Sequence, residues 1–99
     1  MARLDVSPDP AGNGYLLDVQ ADALNRYTTR VVVPLRYVDD APEPAERLNP
    51  VFRIAGDDVV MMTQWLSAVP AGMLGPSVTN LADQHTEVIA AIDFLIQGF

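Results

Sequence analysis

Residues 30–38 read Arg30-Val-Val-Val-Pro-Leu-Arg-Tyr-Val38 and carry the strongest β-strand signal in the chain. Three consecutive β-branched valines followed by Leu and Tyr fit a pleated, buried strand better than a helix. Pro34 has no N–H to donate to a neighbouring strand, which predicts an edge position or a bulge at that point. A sheet that contains this strand is therefore the first expectation for the fold.

Two predicted hairpins flank this strand. Before it, Ala2–Ser7 alternates polar and apolar residues, and Tyr15–Gln20 follows after a turn rich in Pro and Gly. After it, Pro50–Ala55 and Val59–Met62 are separated by a predicted turn at Gly56-Asp57-Asp58. These four segments predict an antiparallel sheet, because short connections join strands that run in opposite directions.

The remaining connections read as loops until the C-terminus. Residues 21–29 have no periodic pattern, residues 39–47 are acidic and proline-bearing, and residues 69–76 are broken by Gly and Pro. A helix is then predicted from apolar residues at helical spacing, namely Leu81, Val88, Ile89, Ile92, Leu95 and Ile96. Strands first and one helix last predict a single α+β domain over residues 1–99.

The end of this helix is unusually apolar for a chain terminus. Phe94, Leu95, Ile96 and Phe99 fall within six positions, which is more apolar surface than one stripe against a small core requires. Contiguous exposed apolar surface usually marks an interaction site. The terminus therefore predicts a protein partner or a second copy of the chain.

Composition limits the classes of function. At 49 % hydrophobic and 19 % charged, the chain has the composition of a folded protein, and without cysteine it can form no disulfide. A net charge of −7 with only six scattered arginines argues against nucleic-acid binding, which depends on neutralising phosphates. No apolar run reaches the roughly 20 residues that cross a bilayer, and no secretion signal is recognisable. We expect a cytoplasmic protein that binds proteins.

No catalytic constellation is recognisable in the sequence. His85 is the only histidine and falls on or beside the apolar face of the predicted helix, so packing or an interface explains it better than a catalytic base. Asp83 and Glu87 share a helix face, as a solvated acidic face would. Trp65 fits either hairpin packing or a recognition surface. We therefore expect a non-enzymatic protein without metal or cofactor.

The order of several short motifs resembles the CcdB family of toxins. The matching segments are Asp18-Val-Gln-Ala-Asp22, Arg30-Val-Val-Val-Pro-Leu35, Asn49-Pro-Val-Phe-Arg-Ile-Ala-Gly56, Met61-Met-Thr63, Ser67-Ala-Val-Pro70 and the Leu–Ile–x–Gly–apolar end. They run collinearly over nearly the whole chain. The resemblance implies an antiparallel, SH3-like barrel-type sheet of the CcdB/MazF kind, with a small accessory sheet and a C-terminal α-helix.

The resemblance also implies partners and binding residues. Family members are homodimers that poison the A subunit of DNA gyrase and are neutralised by a CcdA antitoxin. On this chain it places gyrase binding at Ile96, Gln97, Gly98, Phe99 and Leu24. It places the dimer interface at Leu95 and Ile92, and antitoxin binding at Gly12, Asp39 and Arg47.

Two alternatives remain open beside gyrase poisoning. Where the family ends in Trp-Gly-Ile, this chain has Gln97-Gly-Phe99, so a CcdB-fold protein that has lost gyrase poisoning and acts as an antitoxin-binding module is one alternative. The other is an endoribonuclease, because toxins of a related fold cleave RNA. The acidic charge and the isolated His85 oppose the second alternative.

Overall fold

A computed structural model describes residues 2–98 as seven strands and one helix. Their bounds are β1 Asp5–Pro8, β2 Tyr15–Asp18, β3 Thr29–Tyr37, β4 Val51–Ile54, β5 Asp57–Met61, β6 Ser67–Pro70, β7 Thr79–Asn80 and α1 His85–Gln97. The strands form one antiparallel sheet in the order β4-β5-β3-β2-β1-β7, and β6 pairs with β3 off this path. The sheet curls into a nearly closed barrel with α1 at its C-terminal end, which confirms the predicted fold class.

β3 is the central strand and has neighbours on both sides. Its first half pairs with β6, from Thr29 opposite Pro70 to Val32 opposite Ser67, and its last residues pair with β5. β6 therefore forms a branch of the same sheet, joined to it through β3, where a small accessory sheet was expected. β2 runs along the other side of the same strand.

Of the two alternatives predicted for Pro34, the edge position is wrong, because β3 lies inside the sheet. No bulge occurs against β2 either, since the register runs without a break from Tyr15 opposite Leu35 to Asp18 opposite Val32. The Pro34 carbonyl accepts a hydrogen bond of 2.9 Å from the Met62 amide, so its ring nitrogen faces the same side as β5 and β6. On that side the partner changes from β6 to β5. Pro34 therefore occupies the interruption between two partner strands, where no donor is needed.

The structure confirms both predicted hairpins but moves two boundaries. β1 begins at Asp5, since residues 3–4 form a turn in which Leu4 has φ 68°. The β4–β5 turn consists of Ala55 and Gly56, with φ of 51° and 87°, and Ile54 pairs with Asp57. Positive φ at both central residues defines a type I′ turn, whose twist matches the two strands. The predicted turn was therefore displaced by about one residue.

The hydrophobic core fills the inside of the curled sheet and is closed by one face of α1. Val88 and Ala91 are fully buried helix residues, and Leu17, Val33 and Met61 are fully buried strand residues. The predicted helix is confirmed, but Leu81 precedes it and reaches the core from the short turn before His85. The sequence prediction missed β6 and β7, which are short and mostly exposed.

Candidate interaction sites

The end of α1 is exposed and geometrically well defined. Gly98 terminates the helix in the left-handed conformation at φ 79°, and its amide donates a hydrogen bond of 2.9 Å to the Phe94 carbonyl. This is a usual glycine helix cap. Ile96 is 72 % exposed, and Gln97 and Gly98 are exposed beside it. Phe99, which was predicted to bind with them, lies outside the described residues.

The two residues predicted for a dimer interface differ in accessibility. Leu95 is 38 % exposed, which leaves an apolar side chain available to a second copy. Ile92 is half-buried and packs against the hydrophobic core of its own chain. A dimer that uses this face would therefore add contacts to Leu95 and cover only the remaining part of Ile92.

Arg47 joins the loop of residues 39–47 to α1. Its guanidinium lies 4.6 Å from the centre of the Phe94 ring, a cation–π contact. A groove of about 220 Å³ lies beside this contact and is lined by Glu46, Arg47, Pro50, Glu87 and Ala90. One residue predicted to bind antitoxin therefore touches the helix that was predicted to bind gyrase.

A buried ion pair lies beneath the loop that carries Leu24. The Arg30 guanidinium donates to both carboxylate oxygens of Asp18 at 2.8 and 2.9 Å, and the side chains are only 2 % and 1 % exposed. Arg30 also donates to the Asn25 side-chain oxygen, which ties the loop to the pair. Bidentate geometry and a third acceptor are what a buried charged pair requires.

Gln20 holds the same loop from a second direction. Its side-chain nitrogen donates 3.0 Å to the Leu24 carbonyl, and its oxygen accepts 3.1 Å from the Val31 amide on β3. Leu24 is 44 % exposed and Tyr27 is 51 % exposed, with the Arg26 guanidinium 5.5 Å from the centre of the Tyr27 ring. The loop thus presents apolar side chains from an anchored backbone.

The residues predicted to bind gyrase come from two elements. Leu24 lies in the short turn Asp22–Leu24 between β2 and β3, and Ile96 lies in the last turn of α1. Both side chains are exposed.

The other two antitoxin-binding predictions fall on different surfaces. Gly12 lies in the β1–β2 turn at φ 81° with open space around it. Asp39 lines a cleft of about 540 Å³ together with Tyr37, Val38, Asp40, Asp57 and Asp58. The Tyr15 ring packs edge-on to Tyr37 beside this cleft. Its pKa is raised by burial, and further by Tyr37 and by the charge of Asp57. Gly12, Asp39 and Arg47 thus face three different environments.

Sequence reasoning missed the anchoring residues and misplaced one side chain. Asp18 and Arg30 lie twelve positions apart in two predicted strands, so no local pattern indicated that they pair. His85 is exposed at the first position of α1 and is not packed on its apolar face. Trp65 is 42 % exposed with the Arg36 guanidinium 5.4 Å from its ring centre, so it packs on a cation and still faces solvent.

Metal-ligand groups and membrane-spanning helices can be assessed over residues 2–98. In this range no three or more His, Asp or Glu side chains are grouped closely enough to hold a metal ion. Over the same range, α1 is the longest helix and is too short to cross a bilayer.

The comparison with protein families decides the relationship. The sequence model of the CcdB protein matches residues 4–98. The chain belongs to the CcdB family. This confirms the predicted resemblance and identifies a CcdB-type protein of a toxin–antitoxin module.

A solved structure shares the fold of this CcdB-family chain. It is described as an endoribonuclease in complex with its cognate antitoxin from Mycobacterial species. The match has a TM-score of 0.73 at 14 % identity and covers 97 % of this chain and 94 % of the other. At that identity the likeness establishes a common fold and carries no activity across.

Proposed function

We propose that this protein is the toxin of a type II toxin–antitoxin pair and that it inhibits DNA gyrase by binding the A subunit. Membership of the CcdB family over residues 4–98 carries the proposal. The toxin would act in the cytoplasm as a homodimer, by binding and not by catalysis, and a CcdA-like antitoxin would neutralise it.

The exposed end of α1 supports the choice of binding surface. Ile96 and Leu95 project from a helix that the Gly98 cap terminates at a fixed point, so little backbone entropy is lost when a partner covers them. Two copies related by a two-fold axis near Leu95 would bring two Ile96 side chains to one surface. Such a surface would be apolar at its centre, where hot spots usually lie.

The contact between Arg47 and Phe94 supports an antitoxin that acts on the same helix. A partner that binds residues 39–47 through Arg47 would compete with the Phe94 ring for its guanidinium. The side chains at the end of α1 would then lose a neighbour on one face. This gives an antitoxin a physical route to the target-binding surface without covering Ile96.

A supercoiling and DNA-cleavage assay with purified gyrase tests the proposal. Wild-type protein should inhibit supercoiling and stabilise cleaved DNA, and Ile96→Gln should weaken both effects by at least tenfold. Thr86→Gln, an exposed change near the start of the same helix, is the matched control and should behave as wild type. Gyrase that is unaffected by saturating wild-type protein would reject the proposal.

Gln97 favours a second candidate function, an antitoxin-binding module without gyrase activity. The family has Trp at this position, and the loss of a buried Trp anchor costs about 2 kcal/mol or more at an interface. Gln97 is exposed at the helix end, so Gln97→Trp introduces the ring without disturbing the core. If wild type is harmless in a gyrase-sensitive host and Gln97→Trp kills it, the second candidate is correct. If wild type kills, it is wrong.

RNA cleavage is the outcome that would replace both candidates. The fold is shared with an endoribonuclease, although the acidic charge of this chain opposes RNA binding. Total RNA incubated with wild-type protein and with His85→Ala should remain intact in both samples. Cleavage by wild type would make the protein an enzyme, and loss of that cleavage in His85→Ala would assign the activity to His85.

A further inference from the structure

The curled sheet leaves a gap between its two outer strands. β4 and β7 end the strand order on opposite sides, and both line one cleft of about 470 Å³. Val51, Phe52 and Arg53 line it from β4, and Thr79 and Asn80 line it from β7. The remaining lining residues are Leu81, Asp83, Gln84 and Glu87, from the segment that leads into α1 and from its first turn.

On the β4 side, backbone groups point into this cleft. The Pro50 carbonyl accepts 2.9 Å from the Met61 amide, so Pro50 faces β5. Backbone groups of alternate residues in an antiparallel strand point to opposite sides. Phe52 and Ile54 therefore also face β5, and the amides and carbonyls of Val51 and Arg53 face the gap.

The β7 side has the same arrangement over a shorter length. The Leu81 amide donates 2.9 Å to the Leu4 carbonyl, so Leu81 faces β1 and the backbone of Asn80 faces the gap. The Asn80 side chain is held by the Arg3 carbonyl at 3.0 Å and by Asp5 at 2.9 Å. This edge is consequently fixed in place, with its backbone available.

The charges around the gap indicate the sign of an occupant. Arg53 is neutralised by Asp58, with Nε 3.2 Å from the carboxylate. Asp83 and Glu87 lie on the helical side of the cleft, and neither forms an ion pair among the described residues. These carboxylates would attract a basic segment and repel an acidic one.

We propose that the open edges of β4 and β7 receive an extended, basic segment of a partner polypeptide, which adds a strand and closes the barrel. Its backbone pairs with Val51 and Arg53, and a Lys or Arg side chain lies against Asp83 and Glu87. β4 offers four residues, about 13 Å of edge at the rise of a strand. The inference goes beyond the proposed function, because it does not depend on the target of the toxin.

Titration of a synthetic peptide into the ¹⁵N-labelled protein tests the inference. The probe is a blocked seven-residue peptide that alternates Val and Lys. A second peptide of the same sequence is N-methylated at alternate residues, which keeps its charge and removes backbone donors. The first peptide should shift the amide signals of Val51 and Arg53 and slow the hydrogen exchange of both amides. The second peptide should bind at least tenfold more weakly.

Two pairs of substitutions separate edge pairing from simple charge attraction. Asp83→Asn with Glu87→Gln should weaken peptide binding at least threefold, whereas Asp57→Asn with Asp93→Asn, two exposed carboxylates that do not line this cleft, should leave binding unchanged. Equal binding of both peptides, larger shifts around Asp39 than around Arg53, or no saturable binding of the first peptide would each overturn the proposal.

Discussion

The loop of residues 21–29 and the end of α1 are both exposed, but they are held in place in opposite ways. The loop rests on buried polar groups, since Arg30 reaches up from β3 to Asn25 while remaining paired with Asp18. The helix end depends on its own backbone hydrogen bonds and on the Gly98 cap. The only side-chain stack recorded there among the described residues is that of Arg47 on Phe94.

This difference separates the residues that build a surface from the residues that recognise a partner. Replacing Asp18 or Arg30 beneath the loop leaves the other charge buried without its partner, which lowers the stability of the fold. At the helix end, exposed side chains can change while the backbone stays in place. Gln97 is exposed at the helix end, so we expect a substitution there to affect recognition and leave the fold unchanged.

The largest expected effect is that of Arg30→Met. The substitution leaves the Asp18 carboxylate buried without its cation, and we expect a loss of about 3–5 kcal/mol in the free energy of unfolding. Urea denaturation followed by circular dichroism measures it. The double variant Asp18→Leu with Arg30→Met removes both charges and should recover at least half of that loss. A single variant as stable as wild type would show that the ion pair does not anchor the sheet.

A smaller effect is expected from Asn25→Ala, which cuts only the link between loop and pair. Asn25 is exposed and Arg30 keeps its bidentate partner, so the free energy of unfolding should fall by about 1 kcal/mol. Hydrogen exchange should accelerate in residues 21–29 and stay unchanged in α1. Equal acceleration in both segments would show that the hydrogen bond between Asn25 and Arg30 does not act on the loop alone.

The sequence predicted the parts of the fold that depend on local pattern. The valines of residues 31–33 and the helical spacing from Val88 to Ile96 identified β3 and α1, because burial imposes a period on the residues. β7 escaped prediction because two exposed residues carry no period. The prediction for Pro34 failed for another reason: β6 and β5 share one side of β3, and this arrangement is decided by residues more than twenty positions apart.

The candidate sites show the same difference between features set by local pattern and features set by distant residues. The exposed apolar helix end followed from composition, since more apolar side chains were present than a small core could cover. The anchoring pair did not, because Asp18 and Arg30 each fit a strand with an ordinary polar face. Only the register that places Asp18 opposite Val32 brings the carboxylate near Arg30. The expected partners came from the order of motifs, which is family information and not physical pattern.

Arg47→Leu tests the single side-chain stack at the helix end. An exposed cation–π contact contributes about 0.5–1 kcal/mol, and we expect a loss of that size in the free energy of unfolding. A double-mutant cycle with Phe94→Leu isolates the contact. Phe94→Leu should cost less stability when residue 47 is already Leu than when it is Arg. As a control, Arg26→Leu removes the corresponding stack on Tyr27 in the loop and should show no coupling to Phe94. Coupling below about 0.2 kcal/mol between Arg47 and Phe94 would mean that the loop and α1 are energetically independent.

The smallest expected effect is that of Ile96→Gln in the isolated chain. Ile96 is 72 % exposed, and Gln is at least as good a helix former as Ile, so the change should stay within about 0.5 kcal/mol. That neutrality should persist as protein concentration rises. If two copies meet at Leu95 and leave Ile96 free, wild type and Ile96→Gln gain the same stability from dimer formation, because binding partners stabilise by mass action. Unfolding midpoints measured at two concentrations a hundredfold apart test this, and a smaller gain for Ile96→Gln would place Ile96 in the dimer contact.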